Sequence, residues 1–207
     1  MFADRRTQIS LLRADIREEI SRAGGDSLGG GDFYGPFWYD ARQHALGLAD
    51  LHESTSDRIG NNERRGNLYP QLRDGFLVWW NERRRWTNEP FREAASPKAR
   101  MFFDSLGGTV KIENILAVSD GDNVQHYVYP YFSPEPALAD ESARLGLWVL
   151  TSALSSVDSQ EVRILDVIRG ATFSLDRNPL LGDEERNFNR RYAALINEWN
   201  GLWEEYE

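Results

Sequence analysis

Arginine and tryptophan dominate the segment whose residue types are best suited to binding chemistry, the WWNERRRW run from Trp79 to Trp86. Guanidinium groups make bidentate contacts with carboxylates and phosphates, and indole rings stack on bases or fill pockets on a partner. The segment therefore predicts a surface for a protein partner or for single-stranded nucleic acid. The alternative is structural, with tryptophans in the core and arginines at the solvated end of a helix. The predicted partner-binding residues are Trp80, Arg83, Arg84 and Arg85.

A second aromatic cluster, from Phe33 to Tyr39, follows the glycine-rich stretch from Gly24 to Gly31. The glycines are typical of a flexible connector, because the Gly-Lys-Ser/Thr sequence of a phosphate-binding loop is absent. The aromatic side chains either pack in the core or form an exposed docking patch. In the second case we expect Tyr34 and Trp38 to contact the partner.

The three histidines lack the spacing of a metal or catalytic site. His44 and His52 are eight residues apart on a predicted helix, which offsets them by about 80° around its axis, and no HExxH motif is present. Neither a GxSxG motif nor a cysteine supplies a nucleophile. We predict no catalytic residues, no metal ligands and no cofactor, and the sequence leaves open whether the chain is an enzyme.

The segment from Asp120 to Asn123 is similar to the start of a calcium-binding loop, because alternate carboxylates suit a hard cation. The bidentate glutamate that completes such a loop is missing. A hairpin turn also explains an Asp-Gly sequence between two apolar runs. We therefore predict a turn here and no calcium site.

Charge is distributed unevenly along the 207 residues, whose formal net charge is −9. Residues 1–107 are neutral overall, whereas residues 108–207 carry the whole excess of acidic groups. This balance argues against a general nucleic-acid binder, since attraction to phosphate supplies most of such affinity. The N-terminus lacks an apolar signal segment, and the longest apolar run, from Leu145 to Leu154, is too short to span a bilayer. We predict a cytoplasmic protein without membrane contact.

Hydrophobic spacing predicts three helices before any strand. The first contains the apolar residues from Ile9 to Ile20. The second begins with a capping box, Asp40 with Gln43, and continues to Ile59. The third extends from Leu72 to Trp86 and ends before a proline.

The second half of the chain alternates strands and helices. Gly146 lies within an apolar helical segment, where we expect it to permit a close packing contact. The predicted elements are a hairpin of Val110 to Val118 with Val124 to Tyr131, a buried helix from Leu138 to Leu154, a hairpin of Val162 to Ile168 with Ala171 to Leu175, and a terminal helix from Phe188 to Tyr206.

This order predicts an α+β fold in which N-terminal helices precede an antiparallel or mixed sheet of two hairpins with two packed helices. Residues 1–32 are interpreted as an N-terminal helix with its glycine-rich linker. Residues 33–207 are interpreted as a single α+β domain. The apolar stripe of the terminal helix packs on this domain or forms a homodimer.

From the third helix onward, the order of elements resembles the core of the PD-(D/E)XK nuclease superfamily. In that superfamily an Asp on one strand and a Glu-x-Lys on the next bind a metal ion that activates water. The corresponding strand here reads QHYVY from residue 125, and a carboxylate with a lysine occurs only in reversed order, Lys111 to Glu113. The resemblance thus implies an atypical or degenerate site. Its candidate ligands are Asp104, Glu113, Asp120 and Asp122.

We therefore expect a non-enzymatic interaction or regulatory protein, for instance an adaptor or neutralising partner. This hypothesis depends on the missing catalytic set and on the contrast between the Arg/Trp segment and the acidic C-terminal part. Its partner is expected to be a protein. The alternatives are a metal-dependent, nuclease-like hydrolase and a single-stranded nucleic-acid binder.

Overall fold

The computed structural model describes residues 4–24, 33–84 and 89–206 of the chain. The α-helices of this part are α1 (Arg5–Ala23), α2 (Gly35–Ala45), α3 (Leu51–Asn61), α4 (Tyr69–Val78), α5 (Asp140–Ala153) and α6 (Glu184–Trp203). Its strands are β1 (Arg92–Glu93), β2 (Ala99–Phe103), β3 (Gly108–Ile112), β4 (Leu116–Ser119), β5 (Gln125–Tyr131), β6 (Val162–Asp166) and β7 (Ala171–Ser174). Helices precede the sheet, and the predicted α+β class is confirmed.

Five strands form one sheet in the order β1-β4-β5-β6-β7. Strands β5 and β6 are parallel, and the other neighbouring pairs are antiparallel. A parallel pair needs a long crossover, which α5 supplies between these two strands. Strands β2 and β3 form a separate antiparallel hairpin. The prediction of a mixed sheet is therefore confirmed.

Apolar side chains cover both faces of the five-stranded sheet. On one face, α2, α3 and α4 pack against strand residues that include Val118 and Val128. On the other face, α5, α6 and the β2–β3 hairpin pack against residues that include Ala117, Tyr127 and Ile164. Successive side chains of a strand point to opposite faces, so strands covered on both sides are apolar nearly throughout. The sheet is the middle of three layers.

The apolar stripe of α6 makes its contacts within the chain. Phe188 stacks on Phe103 of the hairpin, with ring centroids 5.2 Å apart. Towards the end of α6, Leu202 packs with Leu12 and Ile16 of α1. These contacts correspond to packing on the chain's own fold, while association into a homodimer stays a prediction.

The second predicted helix is in fact two helices. The assignment of Asp40 as an N-cap is wrong, because α2 already begins at Gly35 with Pro36 in its first turn. The Asp40 carboxylate instead accepts two hydrogen bonds from Arg58, at 2.9 and 3.0 Å. The chain breaks at Gly47, whose φ is 71°, a conformation that favours glycine.

The strand predicted from Val110 to Val118 is also divided. Asn114, whose φ is 62°, interrupts the extended chain between β3 and β4, and these two strands belong to different sheets. Strand β2, from Ala99 to Phe103, has no counterpart among the predicted elements. Its short ARMFF sequence alternates too weakly to be separated from the preceding loop by pattern alone.

The predicted close contact at Gly146 is confirmed, because a Cβ atom there would lie 2.7 Å from Ile164 Cδ1. From residue 25 onward, the predicted glycine linker lies outside the described residues, and the domain division after residue 32 stays a prediction. No helix in the described ranges is both long and apolar enough to cross a lipid bilayer. The cytoplasmic location stays a prediction.

Candidate interaction surface

Two residues predicted to bind a partner are part of the core. Trp38 belongs to α2, and Trp80 directly follows α4. Their side chains are only 3% and 5% exposed. The Trp38 indole donates a hydrogen bond to the carbonyl oxygen of Asn114. Tyr34 is half-buried and stacks on Phe132, with centroids 4.9 Å apart. The structure thus places these rings in packing contacts, and their role in binding stays a prediction.

The arginines of the WWNERRRW segment follow the end of α4. The helix ends in a π-helical turn, Trp79–Arg83. The Arg84 guanidinium lies over the rings of Trp80 and Phe91, 4.1 and 4.8 Å from their centroids. Burial lowers the pKa of Arg84. This cation is therefore engaged in an internal cation–π contact. The Arg83 side chain and the whole of Arg85 lie outside the described residues, so their predicted role is not addressed.

A buried cluster of ionisable side chains lies beside this aromatic layer, centred on His126 of β5. The ring of His126 meets Phe91 edge to face, with centroids 6.5 Å apart. Its Nε2 atom lies 3.0 Å from Asp120 Oδ2, and its Nδ1 atom lies 2.7 Å from Glu161 Oε2. Arg163 Nη1 donates to the same Glu161 oxygen at 3.0 Å. Two carboxylates thus face an imidazole and a guanidinium.

The strand register assembles this cluster from distant parts of the sequence. Parallel pairing of β5 with β6 matches Tyr127 to Val162, which brings Glu161 beside His126. The tight β4–β5 turn brings Asp120 to the opposite side of the ring. Asp120 Oδ1 also accepts hydrogen bonds from the N–H groups of residues 122 and 124, at 3.0 and 2.9 Å, and so holds the turn.

The His126 cluster is chemically closed. Each ring nitrogen of His126 lies within hydrogen-bond distance of a carboxylate oxygen, so both nitrogens are engaged inside the cluster. Neither nitrogen is then available as a general base, and no Ser or Thr hydroxyl is bonded to the ring in the described structure. His126 thereby joins the carboxylates of Asp120 and Glu161, which favours a structural cross-link between the β4–β5 turn and β6.

The pKa of Asp120 is lowered, chiefly by its hydrogen bond with His126. A lowered pKa means that the folded state binds the proton more weakly than the unfolded state. The resulting stabilisation is present above about pH 4 and is lost as the pH falls through the lower folded-state value.

We expect the Asp120→Asn variant to show a weaker loss of stability than the unmodified chain between about pH 5 and pH 2. Urea denaturation followed by circular dichroism across this pH range measures the difference. The matched control is Asp122→Asn, because Asp122 is exposed in the same turn. Parallel pH profiles for Asp120→Asn and the unmodified chain would contradict the prediction.

The four carboxylates named for the nuclease-like alternative lie in segments next to two different sheets. Asp104 lies in the turn between β2 and β3 and Glu113 follows β3, while Asp120 and Asp122 lie in the β4–β5 turn. Asp120 is bonded to His126. Among the described residues, no group of three His, Asp or Glu side chains is arranged to hold a metal ion. The nuclease-like activity stays a prediction.

The outward side of the β2–β3 hairpin is basic and aromatic. Cross-strand pairing places Arg100 opposite Lys111 and Phe102 opposite Thr109. These side chains are exposed, and Phe102 is 61% exposed. Lys98, just before β2, is exposed as well. We call the side chains of these five residues the hairpin face.

Positive charge on the hairpin face has no carboxylate partner within the described part of the chain. No ion pair there involves Lys98, Arg100 or Lys111. Like charges directly opposite each other destabilise a hairpin. The Arg100–Lys111 pair therefore opposes folding, and an external anion would relieve the repulsion. The exposed carboxylate of Glu113 follows at one end of the face.

The residues of the hairpin face are not among those that the sequence predicts to bind a partner. One signal was available, because the only two lysines of the chain, Lys98 and Lys111, both occur there. The pairing of Arg100 with Lys111 could not be found without strand β2.

Comparison with protein-family models, with curated proteins and with solved structures finds no match to the chain.

Proposed function

We propose that this chain is a non-enzymatic interaction protein that binds an acidic segment of a partner protein through the hairpin face. The observation that carries the proposal is an exposed Phe102 beside the cross-strand pair of Arg100 and Lys111. Aromatic and arginine side chains supply most of the energy at protein interfaces. Guanidinium and carboxylate groups form charge-assisted, bidentate hydrogen bonds. A peptide with carboxylates around one apolar residue complements this face.

A protein partner is favoured over nucleic acid by the number and setting of the charges. The hairpin face holds three cations, whereas duplex binding commonly engages roughly six to ten phosphates. The chain as a whole has a net charge of −9, which repels a long polyanion at low ionic strength. Only one exposed ring is present on the face for base stacking.

The state of the His126 cluster supports a non-enzymatic role. Both nitrogens of that ring and the facing oxygens of Asp120 and Glu161 are engaged with each other. A catalytic acid or base must instead reach a substrate proton. The cluster therefore supports stability better than proton transfer.

The test uses fluorescence anisotropy with a labelled peptide of glutamate and serine that has one central leucine. We expect the double variant Arg100→Glu/Lys111→Glu to raise the dissociation constant at least about fivefold, because each attractive pair becomes repulsive. Phe102→Ala is expected to weaken binding about threefold through loss of the apolar anchor. Added salt weakens the binding of the unmodified chain.

The matched control is Arg64→Glu/Arg177→Glu, which changes the net charge by the same amount at two exposed arginines outside the hairpin. Its dissociation constant should change less than about twofold, because neither arginine belongs to the hairpin face and salt screens exposed charges that do not contact the peptide. Equal weakening by the two double variants would contradict the proposal. Tighter binding of labelled oligothymidylate than of the peptide would favour the nucleic-acid alternative instead.

A further inference from the structure

A cavity of ≈ 210 Å³ lies between the inward side of the β2–β3 hairpin, the five-stranded sheet, and helices α5 and α6. Its walls are mainly apolar and include Ile112 of β3, Val149 of α5, Ile164 of β6 and Phe188 of α6. The cavity belongs to the apolar layer on the side of the sheet away from the His126 cluster. It is therefore separate from the His126 cluster, whereas Lys111 of the hairpin face also lines it.

Two hydroxyl groups accompany the apolar walls. Tyr129 and Ser142 line the cavity, and neither hydroxyl has a hydrogen-bond partner among the described residues. The Ser142 residue is only 9% exposed, so little solvent reaches it. Burial raises the pKa of Tyr129, which keeps its hydroxyl protonated and able to donate. Because both hydroxyls line the cavity, a ligand with one polar atom can bond to either of them.

The size of the cavity limits what it can hold. An apolar cavity of roughly 150 Å³ accepts benzene, so this one accommodates about eight non-hydrogen atoms. Gly146 lines the same space, and any side chain there would meet Ile164. A side chain at position 146 therefore cannot fill the cavity without displacing Ile164.

We infer that this cavity is a binding site for a small, neutral, mainly apolar molecule that carries one hydrogen-bonding group. The apolar body contacts the walls from the hairpin, sheet and helices. The single polar atom bonds to the hydroxyl of Tyr129 or Ser142. Removing an ion from water to contact these apolar walls is costly, which favours a neutral ligand.

Indole and indene test the inference, because they share shape and size while only indole has an N–H group. We expect indole to raise the melting temperature and to bind about three- to tenfold more tightly than indene in calorimetry. The double variant Tyr129→Phe/Ser142→Ala should remove this preference without weakening the binding of indene. Tyr127→Phe is the matched control, since Tyr127 lies on the same strand outside the cavity.

Two variants that reduce the cavity identify the site. Val149→Phe fills the space, and Gly146→Ala drives Ile164 towards it, so both should abolish or strongly weaken binding of the two probes. The second variant keeps the test decisive if the first one does not fold.

Failure of both probes to bind up to their solubility limits overturns the inference. Binding that is unchanged in the folded cavity variants overturns it as well. Equal affinity for indole and indene overturns the role of the hydroxyls. Arg100→Glu should leave indole binding unchanged, because Arg100 belongs to the hairpin face and does not line the cavity.

Discussion

Replacing Gly75 with alanine is expected to lower the free energy of unfolding by at least about 3 kcal/mol or to prevent folding. A Cβ atom at this position of α4 would lie 2.2 Å from the carbonyl oxygens of both Val167 and Ile168. Real Cβ atoms do not approach backbone this closely. The added methyl group therefore forces α4 away from the end of β6.

The backbone opposite Gly75 has little freedom to move. The N–H of Val167 donates to the carbonyl oxygen of Tyr131 at 3.0 Å, which extends the β5–β6 pairing. The following turn contains Gly170, whose φ is 55°. A Cβ atom at Gly170 would in turn lie 2.6 Å from the carbonyl oxygen of Gly75. Two glycines thus permit direct contact between the helix backbone and the β6–β7 turn.

Urea denaturation followed by far-ultraviolet circular dichroism measures the effect. The matched control is Gly60→Ala in α3, where no atom lies within 4 Å of the added Cβ. Alanine there should stabilise the chain by about 0.5–1 kcal/mol, because glycine is a poor residue within a helix. A Gly75→Ala variant as stable as Gly60→Ala would contradict the close approach.

Replacing His126 with leucine is expected to lower the melting temperature by about 10 °C. Leucine removes both ring nitrogens and leaves the carboxylates of Asp120 and Glu161 facing an apolar side chain. Asp120 then loses the hydrogen bond that contributes most to its lowered pKa. Removing one partner from a buried cluster of hydrogen-bonded carboxylates leaves charge without compensation, which costs more than the cluster itself contributes.

Differential scanning calorimetry measures the change, with His52→Leu as the matched control because His52 is exposed on α3. The control should alter the melting temperature by only a few degrees. Asp120→Asn should destabilise the His126→Leu background less than it destabilises the unmodified chain, because the two residues act together. Additive effects of the two substitutions would show that the side chains are not coupled.

Local patterns in the sequence were sufficient for most helices and for the fold class. The α5 and α6 helices follow from apolar spacing, because that spacing is a property of neighbouring residues and persists in the folded chain. The contact at Gly146 also follows, since a glycine in an apolar helix indicates close packing. The capping box at Asp40 was wrong because a tertiary ion pair with Arg58 uses that carboxylate inside the helix.

The segment that opened the sequence analysis shows where such inference ends. The sequence by itself determined that tryptophan and arginine are concentrated from Trp79 to Trp86, but only the tertiary structure decided that Trp80 is buried beneath Arg84. In the same way, the register of β5 and β6 brings His126 to Glu161, and the register of β2 and β3 brings Arg100 to Lys111. Helical periodicity is local, whereas strand register depends on residues far apart in the chain, so no short pattern determines which side chains meet across a sheet.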